Sequence, residues 1–322
     1  MSNSLLHRVR AFIWQQRLLS PDGRYLVAVS GGADSDVMVD LVERVRTAAP
    51  TDVSYVWFDT GLEYQATRRH VGDLESRYGI RIERRRAEKT IPVSCKEYGQ
   101  PFLSKHISEM CERLQRNGFD WRDAGADELL RLYPRAVTSV KWWTNANTRT
   151  DKPGWFDIGR VRWLKEFMVE HPPTFAISNR CCEWAKKRLS VAYERERGID
   201  CMLVGVRKAE GGVRASHGRC FTNSHGRAVY RPLFWLSNAD RDRYCETFGI
   251  RHSDCYEVWG FKRTGCSCCP FGRELGHELA TLDAYEPNVA RAARKVFKDS
   301  YEYTRQFMDY RDFMRCGMRR LF

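Results

Sequence analysis

The sequence of 322 residues has no apolar run approaching the ~20 residues of a membrane-spanning helix. Its first residues also lack the apolar segment and small-residue cleavage site of a secretory signal. Twelve cysteines in a long chain without such a signal are not typical of a secreted disulfide scaffold. We therefore expect a cytoplasmic protein without a membrane partner, whose reduced thiols bind a metal or do chemistry.

Two common nucleotide-binding fingerprints are missing, the Walker loop with Gly-Lys-Ser/Thr and the dinucleotide motif Gly-x-Gly-x-x-Gly. In their place, an apolar run at 24–30 is followed by Ser30-Gly31-Gly32-Ala33-Asp34-Ser35 and then by helical spacing at 36–46. The glycines permit a tight turn whose N–H groups can bind an anion, and both serines can add hydroxyl hydrogen bonds. The alternative is an ordinary connection between a strand and a helix.

Buried strands alternate with helices along much of the chain. Strand patterns occur at 24–30, 53–58, 80–83 and 201–206, and helical patterns at 4–17, 36–46 and 65–78. This alternation predicts an α/β fold with a mostly parallel sheet and right-handed crossovers.

The chain is expected to form two regions. Residues 1–244 would be a nucleotide-binding domain with a helical, Trp- and Arg-rich insertion at about 95–173. Residues 245–322 would form a Cys-rich region with helical patterns at 274–284 and 289–314. In the insertion, Lys141-Trp142-Trp143 lies near Arg135, Arg149 and Lys152, a mixture that suits either nucleic-acid binding or a buried helical core.

The net charge of +13 favours polyanionic partners such as nucleotides, nucleic acid or an acidic protein. The basic residues are spread along the whole chain, so a basic surface that maintains solubility is the alternative.

The loop at 30–35 resembles that of the PP-loop superfamily, and Asp59-Thr60-Gly61 resembles a motif of its phosphoadenylyl-sulfate reductase-like branch. The resemblance implies a doubly wound, Rossmann-like sheet that holds an adenine nucleotide where neighbouring strands end. It assigns Asp34 and Ser35 to catalysis, and Ser30, Gly31, Gly32, Asp34, Ser35 and Asp59 to nucleotide binding. For Asp59 the alternative is a helix N-cap.

After the strand at 201–206, the residues Gly205, Arg207, Glu210 and Arg214 are similar to the branch's Gly-x-Arg-x-x-Glu-Ser-x-x-Arg motif, with Gly211 in place of the serine. Two arginines at a strand end suit the capture of phosphate or sulfate oxygens. Glu210 could orient one arginine or accept a hydrogen bond from a ribose hydroxyl. The alternative is a solvated basic turn.

The pair Cys181-Cys182 and the later pair Cys266 and Cys269, spaced Cys-x-x-Cys, resemble the [4Fe–4S] set of adenylyl-sulfate reductases. A zinc site and buried cysteines without a metal are alternatives. Cys268 could replace Cys266 or Cys269 as a ligand, and Cys255 is a further candidate ligand. Lys262 and Arg263 could offset the charge of thiolate ligands or hold an anionic substrate.

The sulfonucleotide reductases use a thiol in a C-terminal Glu-Cys-Gly-x-His motif. Here Cys316-Gly317 is similar, but the glutamate and the histidine are absent. Arg315 and Arg319 could lower the pKa of Cys316 and make it a catalytic nucleophile.

Three functions follow from these resemblances. The first is ATP-dependent release of pyrophosphate coupled to sulfur transfer, similar to the sulfur-inserting component of DNA phosphorothioation systems. It would use a [4Fe–4S] cluster, ATP and a candidate Mg²⁺, with a nucleic-acid acceptor and a cysteine desulfurase as candidate partners. The second is a reductase of adenylyl sulfate or phosphoadenylyl sulfate, with Cys316 as nucleophile and thioredoxin as reductant. The third is a non-catalytic nucleic-acid-binding module with a structural cluster.

Overall fold

The computed structural model describes residues 23–48, 52–147, 154, 156–211, 214, 217–224 and 226–319. The chain divides by packing into two compact units. The first unit comprises the described parts of Met1–Glu88 and Ala185–Ser267, and the second those of Lys89–Trp184 and Cys268–Phe322. The helix expected at 4–17 lies outside the described residues. The division of the chain between 244 and 245 stays a prediction.

The first unit contains a six-stranded sheet in the order β3-β2-β1-β4-β6-β5. Its strands are β1 (Tyr25–Val29), β2 (Val53–Asp59), β3 (Ile82–Arg86), β4 (Cys201–Leu203), β5 (Phe221–Ser224) and β6 (Arg227–Tyr230). All neighbouring strands are parallel except β5, which runs antiparallel to β6. The predicted mostly parallel α/β fold class is confirmed, whereas the short hairpin of β5 and β6 was not predicted.

The described α-helices are, in chain order, α1 (Ala33–Ala48), α2 (Gln65–Tyr78), α3 (Ile91–Tyr98), α4 (Lys105–Arg116), α5 (Ala126–Leu132), α6 (Val137–Trp143), α7 (Leu164–Glu170), α8 (Arg180–Cys182), α9 (Leu189–Arg197), α10 (Asn238–Phe248), α11 (Asp254–Glu257), α12 (Leu275–Tyr285), α13 (Pro287–Val296) and α14 (Lys298–Arg319). A π-helical segment, Glu183–Arg188, joins α8 to α9. Short 3₁₀ turns occur at Ile158–Arg160 and Lys208–Glu210.

Both faces of the sheet are covered, because successive side chains of a strand point to opposite faces. Tyr25, Val27 and Val29 of β1 pack in one core with the apolar side chains of α1. Leu26 lies on the other face, in a cluster with Tyr193 of α9. Helices therefore cover both sides of the parallel strands, which is the doubly wound arrangement.

The second unit has its own core, in which Trp142 is 1% exposed and Trp143 is fully buried. The indole N–H of Trp143 donates to the carbonyl of Arg122 over 3.0 Å. For these two tryptophans the buried alternative is confirmed, so they are not available to stack on bases. Arg149 and Lys152 lie outside the described residues.

One of the predicted helices is interrupted. The pattern at 289–314 forms α13 and α14, which are separated at Phe297, a side chain that is 1% exposed. The break allows this aromatic side chain to enter the core and contact Tyr301 at 5.7 Å between ring centroids. Among the described residues, the helices are too short or too polar to cross a bilayer.

Candidate functional site

The loop at 30–35, which the sequence predicts to bind phosphate, lies between β1 and α1. The backbone N–H of Ser30 donates to the hydroxyl of Ser35 over 2.9 Å, and the N–H of Ser35 donates to the carbonyl of Gly32 over 2.8 Å. Ser35 is 4% exposed, whereas Ser30 is exposed. Ser35 therefore holds the loop closed from within, and its hydroxyl hydrogen remains able to turn toward an anion.

Two glycines allow this loop to pack closely. Gly31 has a φ of +66°, and an added Cβ would lie 2.6 Å from Cγ2 of Thr67. At Gly205 an added Cβ would lie 2.7 Å from the carbonyl oxygen of Asp34. The glycine of the Gly-x-Arg motif thus permits the chain after β4 to touch the first turn of α1, which brings the two motifs together.

Asp34 and Arg207, both predicted site residues, are joined by an ion pair. Nε of Arg207 lies 2.7 Å from Oδ1 of Asp34, and the Arg207 side chain is only 2% exposed. A second Arg207 nitrogen, Nη1, donates to Oδ1 of Asn238 over 3.0 Å and to the carbonyl of Leu236 over 3.4 Å. Arg207 is therefore a buried partner of Asp34, and it fixes that carboxylate beside the loop.

Other arginines supply positive charge near this pair. Burial lowers the pKa of Arg214 from its usual value, and the charge of Arg263 lowers it further. Asp34 and Arg207 also act on the same guanidinium, so Arg214 lies within their electrostatic reach. Arg214 and Arg263 repel each other, and a bound anion would relieve this repulsion. Such a pair of cations is expected at a phosphate site.

Glu210 connects the two arginines of its motif. Its Oε1 accepts a hydrogen bond from the backbone N–H of Arg207 over 3.1 Å, and its carboxylate forms an ion pair with Arg214. The expected role in orienting an arginine therefore agrees with the observed contacts.

Asp59 lies at the end of β2 and does not cap a helix, since α2 has Tyr64 as its N-cap. Its Oδ1 accepts from the backbone N–H of Gly61 over 2.8 Å and forms an ion pair with Arg68 at 2.9 Å. Nearby, burial raises the pKa of Glu63, whose carboxyl group accepts a hydrogen bond from the Thr60 hydroxyl. The carboxylate of Asp59 is thus held in a fixed turn at the carboxyl end of its strand.

The predicted cysteine ligands are divided between the units. Cys181, Cys182 and Cys269 belong to the second unit, and Cys266 to the first. The pKa of Cys181 is raised above its usual value. A hydrogen bond with Cys182 lowers this pKa, but its effect is smaller than the combined effect of a hydrogen bond with Cys95, of burial, and of the charges of Cys95 and Cys269. Four thiols of the second unit are therefore neighbours, and Cys95 among them had no spacing signal in the sequence.

The other cysteines occupy different surroundings. Cys266 is 8% exposed, and its Sγ lies 4.0 Å from Oγ1 of Thr60. Cys268 is fully buried, with a φ of +48°, and its carbonyl accepts a hydrogen bond from Tyr301. Cys316 is exposed on α14. Within the described residues, no three His, Cys, Asp or Glu side chains are placed to hold a metal ion.

The first unit contains a cavity of about 630 Å³. One of its lining residues is Ala33, which directly follows the two glycines of the loop. Lys262, a predicted site residue, lines it together with Cys245 and His252. No local sequence pattern predicts this cavity, because its walls come from the start of α1, the end of α10 and the chain at 249–262.

Comparisons with known proteins agree with the domain that the motifs predict. Residues 24–117 match the family model described as the phosphoadenosine phosphosulfate reductase domain. An uncharacterized protein of Methanocaldococcus jannaschii is 41% identical over 88 residues, which are 27% of this chain and 18% of that protein. The chain thus matches less than a fifth of that relative's length.

Two solved structures are similar over most of the chain at low identity. The phosphoadenylyl-sulfate (PAPS) reductase from Candida auris, in a phosphate complex, has a TM-score of 0.44 and 12% identity, covering 82% of this chain and 93% of its own. The U34-tRNA thiolase NcsA from Methanococcus maripaludis, with its [4Fe-4S] cluster, has a TM-score of 0.37 and 13% identity, covering 88% of this chain and 71% of its own.

The family match confirms the predicted resemblance to the PAPS reductase-like family over residues 24–117. It supports an enzyme that carries out nucleotide-dependent, sulfur-related chemistry.

Proposed function

We propose that this chain binds ATP on the loop at 30–35 and uses it to activate an acceptor, with release of pyrophosphate. Sulfur is then transferred to the activated acceptor. The observation that carries the proposal is the meeting of two motifs from distant parts of the sequence. Asp34 of the loop, Arg207 after β4 and Arg214 beyond it interact with one another, and Arg263 acts on Arg214. This arrangement combines backbone N–H groups with arginine cations, the two features that bind polyphosphates.

In this mechanism the loop and the arginines act mainly by electrostatics. The N–H groups that precede α1, with the positive end of its dipole, stabilise the charge that develops on the departing pyrophosphate. Arg214 and Arg263 neutralise the outer phosphate oxygens. Arg207 acts indirectly, because it holds Asp34 in position and keeps the turn after β4 against the loop.

The carboxylates of this site are poor ligands for a protein-held Mg²⁺. Asp34 is paired with Arg207 at 2.7 Å and has Arg241 at 3.7 Å, and Asp59 is paired with Arg68 at 2.9 Å. Their negative charge is already compensated, so any magnesium would bind through the nucleotide phosphates. We assign no step to a metal held by these side chains.

By its chemistry, a set of four thiols suits an iron–sulfur cluster, although the described side chains do not bring three of them together around one point. Cys181, Cys182 and Cys269 interact within the second unit, and Cys266 precedes Cys269 by three positions. The sequence resemblance assigns these four cysteines to a [4Fe–4S] cluster, which would carry sulfur or order the acceptor site. The packing of α3 on α8 places Cys95 next to Cys181, and in the proposed site this contact would help to orient Cys181.

We propose nucleic acid as the acceptor, because the net charge of +13 favours a polyanion. Trp142 and Trp143 give no support to this part of the proposal, since both are buried. A cysteine desulfurase is the partner that would supply sulfur.

A reductase of adenylyl sulfate or phosphoadenylyl sulfate is the second candidate, favoured by the family match at 24–117 and by the exposed thiol of Cys316. In that reaction Cys316 would attack the sulfur atom and thioredoxin would reduce the resulting S-sulfocysteine, with release of sulfite.

The deciding experiment uses anaerobically purified protein with measured iron and sulfide. ATP, adenylyl sulfate and phosphoadenylyl sulfate are supplied separately, with and without tRNA or duplex DNA, and pyrophosphate and sulfite are assayed. Pyrophosphate from ATP without sulfite, increased by one of the nucleic acids, is the expected result. Sulfite from a sulfonucleotide and a thiol reductant, lost in Cys316→Ser, would overturn the proposal and establish the reductase.

A further inference from the structure

Cys245 and His252 line the cavity next to the predicted phosphate loop, and they form a hydrogen-bonded series with the buried Asp36. Sγ of Cys245 lies 3.6 Å from Nε2 of His252, and Nδ1 of His252 lies 2.8 Å from Oδ2 of Asp36. The thiol thus faces one ring nitrogen while a carboxylate holds the other. This is the order of nucleophile, base and orienting group found in enzymes that activate a side-chain nucleophile.

Asp36 is a fixed and strongly buried member of this series. It lies in the first turn of α1, two residues after Asp34, and is 0% exposed. Nε2 of His70 lies 3.0 Å from the same oxygen, Oδ2. A carboxylate enclosed in this way favours a protonated imidazole, and an imidazolium stabilises a neighbouring thiolate.

The wider surroundings contribute charges of both signs. The cavity is lined by Arg241, Arg251 and Lys262 and by Asp242, Glu246 and Glu257, which balance one another. Cys245 lies in the last turn of α10, where the helix dipole disfavours a negative charge. Since the lining charges cancel, the group that distinguishes the surroundings of Cys245 is His252, which lies against its Sγ and is held by Asp36. The hydrogen bond with Asp36 raises the pKa of His252 to about 10, although burial opposes the rise.

The position of the Cys245 thiol beside the predicted phosphate loop is a second observation that supports a chemical role for it. Cys245 and His252 line the same cavity as Ala33, the residue that follows the glycines of the phosphate loop. A cavity of about 630 Å³ is large enough for a small sulfur compound or the end of a peptide segment. The thiol is far from the nucleotide motif in sequence, but it lines the cavity that Ala33 of that motif also lines.

We propose that Cys245, activated by His252 and Asp36, is the thiol that accepts sulfane sulfur from a persulfide before transfer. This inference rests on the proposed sulfur-transfer function. It gives that function an entry point for sulfur that is separate from the predicted cluster ligands.

The step is a thiol–persulfide exchange without net oxidation. The Cys245 thiolate attacks the outer sulfur of R–S–SH, a new S–S bond forms on Cys245, and the S–S bond of the donor breaks. The electron pair of that bond leaves with the donor as R–S⁻, which takes up a proton from solvent. The donor is either a low-molecular-weight persulfide or a persulfide on a protein cysteine.

The first test measures the reactivity of individual thiols in the wild-type chain. Iodoacetamide labelling at about pH 6.5, resolved by peptide mass spectrometry, should modify Cys245 about 10-fold faster than Cys220, a half-buried cysteine used as the reference. His252→Gln should remove most of this difference, and Cys220→Ser should not change labelling of Cys245. Equal rates for the two thiols in wild-type protein would overturn the proposal without reliance on any variant.

The second test follows sulfur directly and needs no ATP. The protein is incubated with glutathione persulfide in one arm and with a persulfidated cysteine desulfurase in the other, and the peptide containing Cys245 is examined for one added sulfur atom. The sulfur should appear in wild-type protein and in Cys220→Ser, and its accumulation should slow about 10-fold in His252→Gln. Labelling in one arm alone identifies the donor class, and labelling in neither arm overturns the proposal. Because the readout is independent of pyrophosphate, this failure can be distinguished from failure of the proposed function.

Discussion

Nε of Arg207 lies 2.7 Å from Oδ1 of Asp34, and this contact joins residues that are 173 positions apart. The two motifs predicted from the sequence to bind one nucleotide are therefore linked by a buried ion pair. The sequence predicted that Arg207 binds phosphate oxygens, but its guanidinium already forms hydrogen bonds with Asp34, Asn238 and the carbonyl of Leu236. In the proposed function, capture of the phosphate oxygens would therefore depend more on Arg214 and Arg263.

Replacing Arg207 should destabilise the first unit more than a typical surface substitution. Arg207→Met leaves the Asp34 carboxylate without its main partner, and we expect the free energy of unfolding to fall by about 3 kcal/mol. Urea unfolding of the full chain measures this loss. Combining Arg207→Met with Asp34→Asn should recover part of it, because the second change removes the unpaired charge. A loss for Arg207→Met within about 0.5 kcal/mol of zero would contradict the structural role.

Arg214 and Arg263 should control affinity for the nucleotide. Each Arg→Gln change removes one charge facing the phosphates, and we expect Kd for ATP to rise about 10-fold, with a smaller effect at high salt. Isothermal titration at two salt concentrations measures this change. Arg195→Gln is the matched control, since Arg195 is an exposed arginine of α9. If all three variants bind ATP equally well, the basic cluster is not the phosphate site.

Gly205 should be intolerant of any side chain. A Cβ at this position would lie 2.7 Å from the carbonyl oxygen of Asp34, a backbone atom that cannot move aside easily. Gly205→Ala should therefore lower both the unfolding midpoint and the affinity for ATP. Gly72→Ala is the control, because nothing lies within 4 Å of its added Cβ. In the interior of α2 that change should stabilise the chain by up to about 1 kcal/mol. An unchanged ATP affinity in Gly205→Ala would show that the contact does not shape the loop.

The framework of the first unit was predictable because its signals are local. The apolar run of β1, the loop at 30–35 and the helix Gln65–Tyr78 follow directly from short patterns of residues. The hairpin of β5 and β6 was missed because four-residue strands with exposed positions have no clear periodicity. The contacts of Arg207 with Asp34, and of Cys245 with His252 and Asp36, depend on long-range packing that no spacing in the sequence encodes.

The ligands of the predicted cluster can be distinguished by iron content. Ser substitutions of Cys181, Cys182, Cys266 and Cys269 should each reduce the iron and sulfide bound after anaerobic reconstitution, together with the visible absorption of the cluster. Cys95→Ser should retain iron, because a hydroxyl can still form a hydrogen bond with Cys181. Cys268→Ser is the second control within the same Cys-rich loop. Loss of iron in Cys95→Ser with retention in Cys266→Ser would instead make Cys95 the fourth ligand.

The pair of His252 and Asp36 should make stability depend on pH in the alkaline range. The folded-state pKa of His252 is raised to about 10 from its ordinary value of 6.5, so protonation favours the folded state. Its contribution is complete below the unfolded-state pKa and is lost as the pH rises toward 10. Across that window the unfolding free energy of wild-type protein should fall relative to His252→Gln by at most about 1.4 kcal/mol per pH unit. Urea unfolding of both proteins at several pH values measures the difference, and parallel curves would mean that His252 is not held protonated by Asp36.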